Sequence, residues 1–341
     1  MKIANWNIEW MNHWFTPDSE QPAFRTSDQI PGVSDIDALA GRVAGVIKRM
    51  DPDVLTVQEG PSRHGEMALF VGDHLDDSYE ILGPSGKGQQ RLYTLVKKDG
   101  AALDPERVFT PGDIDFDKPF RVDIDGNLDL DDYEFTRVPL IVDVTDQGSG
   151  RPMRVINLHL KSKFVQNGER MWRDPAERPS FVAQAILARR RISAEAMRVR
   201  EYLDELLNPD GSLSGVALER AVVVCGDCND GPGNDYFERH YLTHNLVAAL
   251  GGNAFVPQLM FRHGFIDKVR KEDNYTAIFD DFVDEIPNRK ILLDHILVSP
   301  GLYWNLENGV IEHVAYEAEI DTGATARQRL PSDHRPQSIT F

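Results

Sequence analysis

The stretch Ala221-Val222-Val223-Val224-Cys225-Gly226-Asp227-Cys228-Asn229 decides how this chain is read. Small and β-branched residues running into Gly226 predict a buried strand that ends abruptly. At its end Asp227 and Asn229 stand two positions apart, and Asp230-Gly231-Pro232-Gly233 follows as a turn. A dry strand that delivers a carboxylate and an amide into a Gly/Pro-rich loop makes a catalytic lip. The same residues also cap ordinary turns, because Asp, Asn and Gly suit turn geometry. Taken alone, the stretch leaves both readings open.

Working outward, short apolar runs recur and end in polar residues. Residues 2–8 form an opening strand ending in Asn7-Ile8-Glu9, and residues 54–57 run into Gln58-Glu59-Gly60. Residues 79–82 and 92–96 predict paired strands around a glycine-rich connection at 83–88, which lacks the helix that should follow a phosphate-binding loop. Further strands are predicted over 139–144, 153–160, 293–298 and 337–341. Ile36, Leu39, Val43, Val46, Ile47 and Met50 follow helical spacing after the capping Asp35, and Asp51-Pro52 stops that helix. Other helices are predicted over 65–75 and roughly 179–207. Some ten strands that pair before helices intervene predict two packed sheets with helices outside them. With no repeat, linker or low-complexity tract, the chain reads as a single domain over residues 1–341.

Composition narrows the function classes. With 37 basic and 55 acidic side chains the net charge is −18, which argues against a nonspecific nucleic-acid or membrane coat. It leaves a nucleic-acid substrate open, since metal ions and a local basic patch can dominate at a site. The N-terminal residues lack the apolar run of a secretory signal and no membrane span is found, so the expectation is a cytoplasmic protein. Cys225 and Cys228 are the only cysteines and flank Asp227 on a strand end; packed thiols are favoured over a redox or zinc role.

Polar residues recur wherever a strand ends: Asn7, Glu59, His159, Asp227 with Asn229, Asp294 with His295, and Asp333 with His334. Turn capping explains any one of these; the series points to side chains converging at one rim of packed sheets. The ordered set Trp6-Asn7, Val57-Gln58-Glu59, Asn157-Leu158-His159-Leu160, Gly226-Asp227-Cys228-Asn229, Leu293-Asp294-His295-Ile296 and Ser332-Asp333-His334-Arg335-Pro336 resembles the endonuclease/exonuclease/phosphatase superfamily. Deoxyribonuclease I, exonuclease III, neutral sphingomyelinases and inositol polyphosphate 5-phosphatases belong to that superfamily. Each motif is weak alone, but together they run in order through nearly the whole chain.

The resemblance implies a four-layer α/β/β/α sandwich of two packed mixed β-sheets, deoxyribonuclease I-like, and metal-dependent hydrolysis of a phosphate ester. A hard cation, Mg2+ or Mn2+, wants oxygen ligands, which Glu59, Asn7 and Asp333 would supply. Asp294 would orient His334, Asp227 would orient or deprotonate the attacking water, and Asn229 would hold a phosphate oxygen. His159 would contact the scissile phosphate and serve as an acid, as in the deoxyribonuclease I branch. The partner carboxylate expected there is replaced by Gln90, which can orient an imidazole but cannot raise its basicity. Glu9 is a further candidate to reach the metal, and His295 is expected to pack.

Two other segments carry readings. Asp123-Ile124-Asp125-Gly126-Asn127-Leu128-Asp129 has acid spacing like a calcium loop, but Leu128 stands where such a loop needs glycine, and a β-hairpin around residues 125–127 is favoured. Residues 161–200 hold ten basic and four acidic side chains, so this segment is positive inside an acidic chain. Lys161, Lys163, Arg170 and Trp172 follow His159 and, with Asn7, are candidate substrate contacts for a phosphate backbone and a stacked base. The favoured reading is therefore a phosphodiesterase acting on DNA or RNA. A phosphatase or phospholipase C-type hydrolase of an inositol phosphate or sphingomyelin is the alternative, and a non-catalytic binding protein is the third class. No obligate protein partner is indicated.

Overall fold

A computed structural model describes the chain except residues 18–20, 27–31, 104–114, 214–215, 234, 242, 244, 266–270 and 325. In chain order the strands are β1 (Lys2–Asn7), β2 (Val54–Gly60), β3 (Tyr79–Ser85), β4 (Arg91–Lys97), β5 (Ala102–Leu103), β6 (Phe120–Val122), β7 (Asp131–Tyr133) and β8 (Leu140–Asp146). They continue as β9 (Pro152–His159), β10 (Ala221–Asp227), β11 (Arg262–His263), β12 (Ala277–Asp281), β13 (Ile286–Ile291), β14 (Asp294–Val298), β15 (Asn308–Ile311) and β16 (Gln337–Thr340). One six-stranded sheet has the order β15-β16-β1-β2-β4-β3, and a second has the order β11-β14-β10-β9-β8-β5. Both are mixed: β1 runs parallel to β2 and antiparallel to β16, and β10 runs parallel to β9 and antiparallel to β14.

Side-chain alternation builds the layers. Val223, Cys225 and Ile296 of one sheet meet Ile3, Val54 and Ile339 of the other in a core between the sheets. The opposite parity of β10, Val222 and Val224, packs outward on Ile192, Ala196, Val199 and Leu203 of the helix α4 (Arg178–Leu207). Trp6, Leu55 and Val57 likewise pack outward on Leu39, Val43 and Ile47 of α1 (Ile36–Met50) and on Phe70 of α2 (His64–His74). Helix, sheet, sheet, helix is the expected four-layer sandwich. Asp35 caps α1 by accepting from the Ala38 N–H at 2.9 Å, as its sequence position predicts.

The favoured hairpin around residues 125–127 is present as the pair β6–β7, with a wider loop than apolar alternation implies. Asp123 accepts from the backbone N–H of both Gly126 and Leu128, which folds residues 123–130 into a turn instead of extending the strands. The hairpin β12–β13 and the edge strand β15 were not evident in the sequence. Pro287 and Asn288 disfavour strand, and the exposed face of β13 carries little apolar signal.

Gly226 fixes how tightly β10 lies on β9. Its φ is +153°, and a Cβ there would sit 2.0 Å from the Leu158 carbonyl oxygen. Gly226→Ala is therefore expected to destabilise the protein by about 3 kcal/mol or more, because backbone cannot yield as a flexible side chain can. Thermal unfolding of the purified variant measures this, and an unchanged midpoint refutes the strand packing described.

Candidate active site

Inward parity carries polar groups to one rim of the inter-sheet layer. In β1, Asn5 and Asn7 share the face of Ile3; in β9, Asn157 and His159 share that of Val155; in β10, Asp227 follows Cys225; in β14, Asp294 shares the face of Ile296. Beneath the rim, Gln58 Nε2 donates to Asn5 Oδ1 at 2.8 Å and to Asn157 Oδ1 at 2.7 Å. Asn157 Nδ2 in turn donates to the Val57 and Tyr93 carbonyls, at 3.1 and 2.8 Å. This buried amide network ties the two sheets together directly under the site; in the sequence Gln58 and Asn157 stand out only as neighbours of Glu59 and His159, and Asn5 not at all.

His334 Nδ1 lies 2.7 Å from Asp294 Oδ2, and both residues are buried. One potential ligand atom from each of Asp227, Asp294 and His334 falls within 4.8 Å of the others. The Thr276 hydroxyl accepts from the Leu293 and Asp294 N–H groups at 3.0 and 3.2 Å, fixing the strand that presents the carboxylate. Ser332 and Trp6 hold the other side: the Ser332 hydroxyl donates to the Asn7 carbonyl at 2.7 Å, and Trp6 Nε1 to the His334 carbonyl at 2.9 Å. Burial opposes charge on His334, but the carboxylates of Asp294, Asp333 and Asp227 outweigh it and raise its pKa well above the ordinary imidazole value. Asp227 is pushed up to about 7, chiefly by burial. Its Oδ1 accepts from the Asn229 N–H at 2.8 Å and its Oδ2 from Asn7 Nδ2 at 2.9 Å.

Glu59 reaches the same rim by an irregularity. Alternation along β2 would send it toward the helices with Val57, but the register shifts between Val57 and Gly60, and Glu59 has φ +56°. Such a bulge re-aims a side chain. Glu59 Oε2 accepts from the Trp10 N–H at 2.8 Å and from Gln90 Nε2 at 2.6 Å, while Asn7 Nδ2 lies 3.4 Å from Oε1. Gln90 was expected to orient His159; it holds Glu59 instead, and His159 Nδ1 has no hydrogen-bond partner among the described residues. His159 Nε2 lies 3.5 Å from Asp227 and 3.9 Å from Glu59. Burial, and then the nearby Arg137 and His334, hold His159 well below the usual imidazole range. Arg137, given no role by the sequence reading, fixes the strand end by donating to the His159 and Leu160 carbonyls at 3.0 and 2.8 Å.

Other candidates lie further out. Glu9 accepts from the Asp333 N–H at 2.8 Å and pairs with Arg327 Nε at 2.8 Å, so it holds the Asp333 loop. His295 has the opposite parity to Asp294 and packs away from the rim, its Nε2 against the Asp230 carbonyl at 2.7 Å. Lys161 has its backbone N–H bound by Glu195 at 2.7 Å. Lys163 pairs with the buried Asp230 and lies 3.5 Å from Asp235. Arg170 forms a two-pronged pair with Glu177, and Arg178 covers the Trp172 ring at 4.8 Å, while Tyr236 and Phe181 pack on its edges. The structure brings together Asn7, Glu59, His159, Asp227, Asn229, Asp294 and His334; it ties Lys163, Arg170 and Trp172 to partners of their own. Both cysteines are buried and unbridged, and burial pushes the Cys225 thiol up to about 12.

No protein-family model and no curated relative matches the sequence. Solved structures do resemble the fold. An AP endonuclease from Archaeoglobus fulgidus matches with TM-score 0.53 and 16% identity, covering 100% of this chain and 99% of that one. A truncated Caenorhabditis elegans TDP2 matches with TM-score 0.50 and 17% identity, covering 100% and 96%. An endonuclease/exonuclease/phosphatase protein from Bacteroides vulgatus matches with TM-score 0.50 and 14% identity, covering 99% and 97%. The chain shares with these structures the deoxyribonuclease I-like fold. At these identities the likeness defines the fold, and the chemistry rests on the site. No helix of the described residues is long and apolar enough to cross a membrane.

Proposed function

We propose that this chain is a divalent-metal-dependent phosphoesterase, favoured as a phosphodiesterase acting on nucleic acid. The observation that carries the reading is the buried Asp294–His334 pair at 2.7 Å with Asp227 beside it. Such a constellation suits proton handling at a reacting phosphate and is needless in a binding module. The name of the archaeal neighbour, an AP endonuclease, favours a diester over a monoester.

The residues fit a hard cation. Burial, and also the Asp333 carboxylate, raise the Glu59 pKa, and the Trp10 N–H and the charged His334 offset this only in part, so an ionised Glu59 there calls for further positive charge. The donors are oxygens, as Mg2+ or Mn2+ prefers. Glu59 and Asp333 would hold the ion; Asn7, expected to join them, has its Nδ2 on Asp227 and its Oδ1 on the Glu9 N–H at 3.0 Å. Bound there, the ion would polarise a phosphoryl oxygen and offset charge on the leaving oxygen. Asp227, poised near neutrality, accepts a proton from the attacking water while Asn7 and Asn229 fix its two oxygens. Asn229 offers its amide to a phosphate oxygen, and the Asp294-supported imidazolium of His334 offsets charge on the phosphate. His159, held neutral, serves as a hydrogen-bond donor to the phosphate and not as a proton source.

The test incubates the purified protein with bis-p-nitrophenyl phosphate, p-nitrophenyl phosphate and supercoiled plasmid, in Mg2+, Mn2+ or chelator. Expected is turnover of the diester and nicking of the plasmid that chelator abolishes and His334→Ala lacks. Activity confined to the monoester reassigns the chain as a phosphatase. Inactivity on all three substrates in both metals overturns the reading.

A further inference from the structure

A cavity of about 740 Å3 opens beside the rim, lined by Asn229 and by Leu293, the residue that precedes Asp294. This volume is in the range of small-molecule sites, about 300–1,000 Å3. Its walls come from the segment after His159, the first turns of α4, the segment after Asn229 and the hairpin β12–β13. They carry six aromatic rings: Phe164, Phe181, Tyr236, Phe237, Phe279 and Phe282. Phe181 is packed by Phe237 and Phe282 at centroid distances of 6.0 and 5.8 Å, which makes a fixed aromatic floor. Phe164 and Phe279 are 78% and 42% exposed at the mouth.

The cations of the lining are already neutralised. Lys163 is paired with Asp230, Arg189 with Asp235, Arg289 with Asp281 and Asp284, and Arg170 with Glu177. Arg189 also lies over the Phe237 ring at 4.1 Å. Asp280, at the same wall, adds negative charge. Among the described residues a second phosphate would find no free positive partner there, whereas a planar uncharged group would find ring edges and faces in the arrangements that aromatic pairs favour.

We propose that this cavity is a specificity pocket for an uncharged aromatic group carried by the ester at the catalytic rim, either the base of a nucleotide, held through its sugar, or an aryl ring bonded to the phosphate oxygen. The proposal rests on the phosphoesterase reading. It places the aromatic substituent between α4 and the hairpin β12–β13, and any continuing phosphate chain away from it.

The experiment measures binding of methyl phosphate, phenyl phosphate and thymidine 5′-monophosphate by calorimetry in Mg2+, for the wild type and for Phe164→Ala/Phe279→Ala. Both replaced rings are exposed, so the variant is expected to fold, and thermal unfolding verifies it. An aromatic monoester should bind about tenfold or more tighter than methyl phosphate, and the variant should bring that ratio toward one. Preference for the nucleotide identifies a nucleobase as the natural occupant; preference for phenyl phosphate identifies an aryl ester. Equal affinity for all three, a preference that survives the double replacement, or no binding of any phosphate overturns the pocket. If the preference holds while no p-nitrophenyl ester or plasmid is turned over, the pocket stands and the catalytic reading falls.

Discussion

Replacing His334 with alanine is expected to lower kcat on bis-p-nitrophenyl phosphate by about a hundredfold or more, the scale for loss of one preorganised group that offsets charge in the transition state. His334 is buried, its Nδ1 sits 2.7 Å from Asp294, and Asp227 stands close by in the same rim. Asp294→Asn should act in the same direction, because an amide keeps the shape but does not stabilise an imidazolium. Folding has to be separated from chemistry, since His334→Ala leaves a buried carboxylate without its partner, and Asp294 Oδ1 already lacks one among the described residues. His334→Gln provides that separation by offering Asp294 an amide donor. Its kcat should fall as far as that of the alanine variant while its unfolding midpoint stays nearer the wild type. Normal turnover in either purified variant removes His334 from the mechanism.

How far the sequence could anticipate this site follows from parity. Where a strand is regular, alternation places its end residue correctly: Asp227, Asp294 and His159 all fall on the inter-sheet face. The same rule explains why His295, one residue along, points the other way. Glu59 is the exception. A regular β2 would have sent it to the helix layer, and only the motif resemblance, not periodicity, kept it in the site; the bulge that turns it is invisible in composition. Gln90 shows the converse, a residue expected at the site that serves a different neighbour, because pairing depends on how β4 meets β2 across the irregularity. The basic run after His159 was legible as charge but not as partnership. Lys163 and Arg170 find carboxylates at 230 and 177, contacts set by loop geometry that spacing does not encode. The aromatic cavity was hidden for a related reason: its rings are scattered from residue 164 to residue 282, and two of them, Phe279 and Phe282, belong to β12–β13 and its turn, the hairpin the sequence did not reveal.

Glu59→Gln tests the cation site apart from catalysis. Burial raises the native pKa of Glu59, so the folded state holds this proton more tightly than the unfolded chain does. By linkage, that contribution to stability is complete below the unfolded value of about 4.3 and is lost as the pH rises through the native one. Above that native value the metal-free protein therefore carries an unfavourable buried charge, and glutamine removes it while keeping an oxygen to accept from Trp10 or Gln90. The unfolding midpoint of metal-free Glu59→Gln is expected to equal or exceed that of the wild type. Metal should reverse the order. Loss of a residue that merely supports a ligand weakens metal affinity by about 10- to 100-fold, so loss of a ligand carboxylate should weaken calorimetric Mn2+ binding by at least about tenfold. Mg2+ should then raise the wild-type midpoint and leave that of the variant nearly unmoved. A variant that is less stable without metal yet binds Mn2+ as the wild type does would make Glu59 a structural anchor for Trp10 and Gln90, and the cation would have to be sought among Asp227, Asp294 and Asp333.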